Sequence, residues 1–130
     1  MITPLTTTNA ADLTGPWSQG IRVGNLIFTS GQVPVDPQSG KVPAALADQV
    51  RRSMDSVLAI VRSGGGEIRD IVKVTIYLID YEDFSTVGEI YGSFFDGPFP
   101  ARTLVTVKHL PVIDGVQCRL IIEAVAALGS

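Results

Sequence analysis

Cysteine and histidine, the residues from which most zinc and redox sites are built, are nearly missing from this sequence. Cys118 is the only cysteine and His109 the only histidine. A disulfide within the chain, a Cys-X-X-Cys redox pair and a His/Cys zinc cluster are therefore excluded, and we expect neither a metal nor a cofactor. Cys118 falls on an apolar strand face and is expected to be an inert core residue.

Charge is scarce as well. Only 18% of the residues are charged, and the ten Lys and Arg are scattered without a basic run in a chain of net charge −3. Binding of nucleic acid needs clustered positive charge, so we expect no nucleic-acid partner. A membrane span needs roughly 18 apolar residues, and Glu123 interrupts the longest candidate, Leu120 to Leu128. The first residues lack arginine and an apolar run, and we expect a cytoplasmic protein that acts on a small molecule.

Because few residues are charged, the apolar fraction of the sequence is large for a protein of this size. Apolar residues make up 45% of the 130 residues, and the mean hydropathy is +0.31. Small domains leave much of their surface exposed, so this much apolar area suggests contact with further copies of the chain. No repeat or linker divides the sequence. We therefore expect one domain over residues 1–130 that forms an oligomer.

The periodicity predicts an α+β fold in which two amphipathic helices cover one face of a sheet. The other face combines charge with Leu104, Ile121 and Val125, which suits contact with a second subunit. The predicted elements are strands at Trp17 to Val23 and Asn25 to Ser30, an extended piece at Val33 to Val35, a helix from Pro43 to Gly64, a strand at Asp70 to Asp80, a helix from Asp83 to Asp96, and strands at Arg102 to His109 and Val116 to Ala126.

Arg102 is the most informative single residue, because it opens a strand of otherwise apolar or hydroxyl-bearing residues. Its guanidinium can bind a carboxylate through two hydrogen bonds. Glu123 lies among apolar residues of the last strand, where an unpaired carboxylate is costly to bury. A hairpin turning over Leu110 to Gly115 would place Glu123 opposite Arg102, although a crossing connection fits the same length. An ion pair that supports the sheet and a binding site for a carboxylate both remain open.

Ser30 ends a predicted strand immediately before Gly31. At such a place a hydroxyl and free backbone N–H groups can face a ligand, although most serines there only satisfy the backbone of a turn. A triad of Ser30 with His109 is rejected, because the sequence has no Gly-X-Ser-X-Gly elbow.

Several blocks of sequence together resemble one known family, the reactive intermediate deaminases of the RidA/YjgF type. The resemblance covers nearly the whole chain. It implies a chorismate-mutase-like α+β fold, with a mixed six-stranded sheet, two helices packed on one face and the last strand inserted beside the Asp70 to Asp80 strand. It also implies a homotrimer with a central barrel and sites between subunits. The blocks are Gly15-Pro16-Trp17-Ser18-Gln19-Gly20, Ile27-Phe28-Thr29-Ser30-Gly31-Gln32-Val33-Pro34, Phe99-Pro100-Ala101-Arg102 and Ile122-Glu123-Ala124.

The activity that the resemblance implies is hydrolysis of reactive enamines and imines, such as 2-aminoacrylate and its 2-imino acid tautomer, to 2-keto acids and ammonia. Arg102 would bind the substrate carboxylate, with Ser30 and the N–H of Gly31 beside it. Glu123 would position or activate the attacking water. No metal or covalent intermediate is needed, because an imine carbon is already electrophilic.

Three positions depart from the pattern that is common in this family. Trp17 stands where many members have tyrosine, Thr103-Leu104 replaces a Ser-Cys pair, and Gly88 replaces an asparagine. Trp17 and Leu104 are expected to line the substrate pocket, and the departures leave open which 2-imino acid is the substrate, a larger or more apolar one included. The alternatives are a non-catalytic sensor of 2-keto acids, or a chaperone-like trimer, that uses the same cleft. Ribonuclease activity is disfavoured by the acidic charge.

Overall fold

A six-stranded sheet carries both helices on one face. The structure is a computed structural model that describes residues 1–12 and 14–129. Its elements in chain order are β1 (Ile2–Leu5), β2 (Gly20–Val23), β3 (Leu26–Thr29), α1 (Leu46–Ser63), β4 (Ile71–Leu78), α2 (Phe84–Gly92), β5 (Ala101–Thr106), β6 (Val112–Ile113), β7 (Val116–Gln117) and β8 (Leu120–Ala127).

The strand order in the sheet is β1-β2-β3-β8-β4-β5. All neighbouring strands are antiparallel except β4 and β5, which are parallel and are joined through α2. A parallel connection needs such a crossover, since a tight turn can only join antiparallel strands. The mixed sheet with two helices on one face confirms the predicted fold class, and β8 is inserted beside β4 as the resemblance implied.

The predicted hairpin that would place Arg102 opposite Glu123 is wrong. Arg102 pairs with Val74 on β4, whereas Glu123 pairs with Thr75 on the other side of that strand. The residues expected to form a simple turn instead make the small separate hairpin β6-β7. Its turn residues Asp114 and Gly115 both have positive φ, 50° and 74°, as a two-residue turn of this kind requires.

The core lies between the sheet and the helices. One stripe of α1 and alternate residues of β4 and β8 are fully buried there, as the predicted periodicities require. The members with no exposed surface include Val50, Met54, Val57, Ile60, Val61, Val74, Ile76, Leu78, Leu120 and Ile122. Cys118 is also fully buried, in a smaller cluster with Val33, Val35 and Val42, and burial raises the pKa of its thiol. This confirms Cys118 as a core residue.

Several element boundaries differ from the prediction. Helix α1 begins at Leu46 rather than near Pro43, because the chain is still extended at Ala45. Helix α2 ends at Gly92, four residues before Asp96; the N–H groups of Phe94 and Phe95 bond three residues back, which tightens the chain into turns. Strand β1 was not predicted, and β2 is shorter than the predicted Trp17 to Val23 strand. Within the described residues, neither helix has the length and hydropathy that crossing a membrane requires.

Leu104 lies on the helix side of the sheet, not on the face where the sequence places it with Ile121 and Val125. It pairs with Ile76, which is fully buried beneath the helices, and paired residues share a face. Its side chain packs against the main core. The alternation along β5 was therefore assigned to the wrong faces, because β5 is an edge strand whose residues are nearly all exposed.

Candidate active site

Ser30 is held in place just beyond the end of β3. Its N–H and its hydroxyl both donate to the carbonyl of Gln19, at 2.9 and 3.1 Å, and its Oγ accepts from Nε2 of Gln32 at 3.1 Å. These bonds serve the local backbone, as the simpler interpretation of the sequence expects. They also fix the hydroxyl in one position, which is what a group that orients a ligand requires.

Gly31 approaches strand β8 more closely than a larger residue could. A Cβ at this position would lie 2.7 Å from Cγ2 of Ile121. The residue is exposed, and among residues 1–12 and 14–129 no acceptor bonds its N–H. Gly31 thus presents a free backbone donor beside β8.

The register of the sheet brings Ser30 and Glu123 to the same place. Phe28 pairs with Val125, and continuing that register by two residues places Ser30 opposite Glu123. The pairing then shifts by one residue, because Gln32 bridges Ile122. Ser30 and Glu123 therefore meet on the sheet face away from the helices, which we call the open face.

Tyr77, which the sequence analysis did not single out, contacts Glu123 directly. Its hydroxyl donates a hydrogen bond to Oε1 of Glu123. This bond, and to a smaller degree partial burial and the negative charge of Glu123, raise the pKa of Tyr77. The sequence places Tyr77 on the face opposite Val74 and Leu78, but finding its partner requires the pairing of β4 with β8.

Arg102 lies on the opposite side of the sheet, against α2. The carbon of its guanidinium is 5.7 Å from the ring centre of Phe84 and 5.5 Å from that of Tyr91, within the range of a cation–π interaction. Its Nη1 is 3.8 Å from the place where a Cβ would stand at Gly88. In the described part of the chain no carboxylate forms an ion pair with Arg102. A structural ion pair with Glu123, one of the two interpretations that the sequence leaves open, is absent there, so this guanidinium is available to bind an anion.

Tyr91 completes the surroundings of Arg102. It is buried, and burial raises the pKa of its hydroxyl while the charge of Arg102 acts in the opposite direction. Its hydroxyl has no hydrogen-bond partner among the described residues. The rings of Phe84 and Tyr91 thus form an apolar and aromatic wall that fixes the arginine without neutralising it.

Trp17 lies on the loop before β2, with 55% of its surface exposed. Its ring folds over Gly15, where a Cβ would lie 1.8 Å from Cζ3 of the indole, so a larger residue at position 15 would displace the ring. The predicted site residues therefore lie in three places in one chain. Ser30, Gly31 and Glu123 lie at the open face, Arg102 and Leu104 lie on the helix side, and Trp17 stands on an exposed loop.

These features define a small α+β protein that presents a carboxylate and a free backbone N–H on one sheet face and an unpaired arginine on the other. The family described as Endoribonuclease L-PSP matches residues 7–128. The 2-iminobutanoate/2-iminopropanoate deaminase of Escherichia coli strain K12 is 45% identical over 125 residues, which are 94% of each chain. The chain belongs to the RidA/YjgF family of reactive intermediate deaminases.

Solved structures agree with this assignment. The crystal structure of the Escherichia coli YjgF gene product has a TM-score of 0.91 and 43% sequence identity, and covers 97% of this chain and 98% of that one. Escherichia coli TdcF, solved with bound serine, has a TM-score of 0.90 and 41% identity, and covers 96% and 98% of the two chains.

Proposed function

We propose that this protein hydrolyses reactive 2-imino acids at their C=N bond, and enamines after these have tautomerised to the imine, and so releases a 2-keto acid and ammonia. It is an enzyme of the 2-iminobutanoate/2-iminopropanoate deaminase type, as its 45% identity over 94% of the chain to such a deaminase supports. The observation that carries the residue assignment is the pair of charges, Arg102 and Glu123, that have no ionic partner within the described chain.

The active site is formed between two copies of the chain. Arg102 and Glu123 lie on opposite faces of one sheet, so a single site that uses both takes them from different subunits. The open face supports such an assembly, because it exposes apolar area that includes Phe28 and Val105, each 41% exposed. Exposed apolar patches of this kind mark protein contacts. A homotrimer, which the family resemblance implies, provides three equivalent sites by symmetry.

Arg102 binds the substrate carboxylate through two parallel N–H groups. The rings of Phe84 and Tyr91 hold the guanidinium in one orientation, so less conformational freedom is lost when the substrate binds. Ser30 and the N–H of Gly31 contact the substrate from the open face of the other subunit. Together these groups place the imine carbon within reach of the water that Glu123 holds.

The reaction needs one water and returns every proton. Glu123 accepts a proton from the water as the water oxygen forms a bond to the imine carbon, and passes this proton to the imine nitrogen to give a tetrahedral carbinolamine. Glu123 then takes the proton of the carbinolamine hydroxyl and delivers it to the amine nitrogen, so that the C–N bond breaks, ammonia leaves and the hydroxyl oxygen becomes the carbonyl of the 2-keto acid. The carboxylate of Glu123 is regenerated at the end of the cycle.

The test generates the imine in place with an amino-acid oxidase or a threonine dehydratase and follows its decay with and without the protein. We expect the wild type to accelerate decay and Arg102→Ala to lose at least about 100-fold of that effect, because a charged contact to the substrate is removed. Arg51→Ala is the matched control, since Arg51 lies on the exposed side of α1, where its ion pair within the described residues is with Asp48.

Two results would overturn the proposal: a wild type that does not accelerate decay, and an Arg102→Ala variant as active as the wild type. Stabilisation by a 2-keto acid without turnover would favour the alternative, a non-catalytic sensor or chaperone-like trimer that uses the same cleft. RNA cleavage, which the family description names, has little support in a chain of net charge −3 without a basic run.

A further inference from the structure

We propose that Tyr77 is a positioning residue for the hydrolysis: its hydroxyl holds one oxygen of the Glu123 carboxylate and leaves the other to face the attacking water. This inference rests on the proposed function, because it assigns Tyr77 a role through Glu123. The observation behind it is the direct hydrogen bond from the Tyr77 hydroxyl to Oε1 of Glu123.

The sheet fixes both residues. Tyr77 lies on β4 and Glu123 on β8, two central strands of eight residues each. Thr75 pairs with Glu123 and Tyr77 pairs with Ile121, so Tyr77 and Glu123 are diagonal neighbours. Diagonal neighbours in a sheet lie within reach of a long side chain. Each of these two strands is hydrogen-bonded to a neighbour on both sides, so the position of the Tyr77 backbone relative to that of Glu123 is fixed.

Apolar neighbours confine the ring of Tyr77. It stands between Ile121 on β8 and Val105 on β5, with which it is paired on either side. A ring placed in this way has few alternative rotamers, so its hydroxyl is presented at one point. A carboxylate held at one oxygen by such a donor cannot rotate freely about its last torsion, and its second oxygen points in a defined direction.

Tyr77 is suited to act as a constant donor. The hydrogen bond to Glu123 raises its pKa above the ordinary value of 10.0, so it keeps its proton throughout the neutral range. The other charged side chain that the strand register places near Glu123 on this face is Lys73, which lies on β4 and donates to Oγ1 of Thr103 at 2.6 Å. In the described chain no ion pair or second hydrogen bond holds Glu123, which leaves Tyr77 to orient it.

The test compares Tyr77→Phe with the wild type in the imine-decay assay, at a series of imine concentrations that separates kcat from KM. Loss of the hydroxyl removes orientation of the general base but no contact to the substrate. We therefore expect kcat to fall about 10-fold, with KM within about twofold of the wild type. The matched control is Tyr81→Phe, which removes a hydroxyl from a tyrosine that is 66% exposed and should leave both constants and the unfolding temperature unchanged.

A second experiment follows the hydrogen bond by NMR and does not depend on activity. In protein labelled with 13C at the tyrosine Cζ, the Tyr77 signal is identified by its loss in Tyr77→Phe and titrated with pH. We expect it to titrate at lower pH in Glu123→Gln than in the wild type, because the charged acceptor is gone.

The outcomes separate the two proposals. A wild type that is active, with Tyr77→Phe equally active, overturns the positioning role and leaves the proposed function standing. So does a Tyr77→Phe variant whose kcat falls only together with its unfolding temperature, or a Tyr77 titration that Glu123→Gln does not move. An inactive wild type overturns the proposed function and the positioning role with it, whatever the titration shows.

Discussion

Arg102 and Glu123 project from opposite faces of the same sheet and are separated by strand β4, to which each is bound by its own register. No rotation of side chains brings a residue from one face of a sheet to the other. If both act on one substrate, they belong to different subunits. Mixed oligomers can therefore test whether the active site lies between subunits.

Mixed oligomers of two inactive variants should recover activity. When Arg102→Ala and Glu123→Gln chains are co-expressed with different tags, some interfaces combine an intact Arg102 from one chain with an intact Glu123 from its neighbour. If the oligomer is a trimer, each mixed trimer has one intact site in three, so the doubly tagged fraction should show about a third of the wild-type activity and the whole randomly assembled population about a quarter. Activity in the doubly tagged fraction measures this, and the separately purified variants are the controls. A doubly tagged oligomer as inactive as the single variants would contradict a site shared between subunits.

Gly88 should influence which substrate is accepted. Its missing side chain leaves open the space beside Nη1 of Arg102. Gly88→Asn would occupy that space, so we expect KM for imines with bulky side chains to rise about 10-fold, while small imines change little. Gly88→Ala is the matched control. It adds a Cβ at ordinary contact distance and should stabilise α2 by up to about 1 kcal/mol, as measured by thermal unfolding. Equal effects on small and bulky imines would contradict this role.

The ion pair between Asp83 and Arg119 should contribute to stability. Arg119 donates to both oxygens of Asp83, at 2.7 and 3.1 Å, and the Asp83 side chain is only 8% exposed. Arg119→Met would leave that carboxylate without its partner, which costs about 1–3 kcal/mol. We expect the lower end, because the Arg119 side chain is 38% exposed and water can replace it in part.

Urea denaturation of Arg119→Met measures this cost. The double variant Asp83→Leu/Arg119→Met should recover part of the loss, because it removes the buried charge as well. A double variant that loses as much as the two single variants added together would show that the two side chains do not interact.

Tyr77 should make the folded state sensitive to alkaline pH. Its folded pKa lies above the ordinary value of 10.0, so the folded state binds its proton more tightly than the unfolded state. The stabilisation is complete below pH 10 and is lost as the pH rises through the folded pKa. The free energy of unfolding should therefore fall more steeply above pH 10 in the wild type than in Tyr77→Phe.

Urea denaturation at several pH values between about 8 and 11 measures this difference. Burial also raises the pKa of Tyr91 and of Cys118, but both are present in the two proteins and cancel in the comparison. Parallel curves for the wild type and Tyr77→Phe would contradict the linkage.

Much of the fold could be predicted because the periodic patterns of the sequence are strong. The apolar stripe of α1 and the alternation in β4 and β8 match the buried faces. The edge strand β5 was assigned to the wrong faces, since exposure on both sides leaves little difference between its alternating residues. Strand β1 was missed for a related reason: three of its four residues are exposed.

The site was predictable in its residue types and not in its geometry. Ser30, Gly31, Arg102 and Glu123 stand out by position and family resemblance. Their relation depends on which strands pair, and the hairpin of sequence neighbours is the simplest guess from one chain. Tyr77 was missed because its partner lies 46 residues away in sequence. Local sequence patterns do not predict a contact between residues so far apart in the chain.

The position of β8 between β3 and β4 has a consequence for synthesis on the ribosome. Strands β1 to β3 and the pair β4 and β5 are synthesised first, and in the described sheet these two sets are hydrogen-bonded to β8 and not to each other. Until β8 is made, each set has a strand edge whose backbone N–H and C=O groups lack partners. The nascent chain therefore exposes two strand edges that can pair with other chains until β8 emerges. Ser30 and Glu123 come together only when β8 completes the sheet.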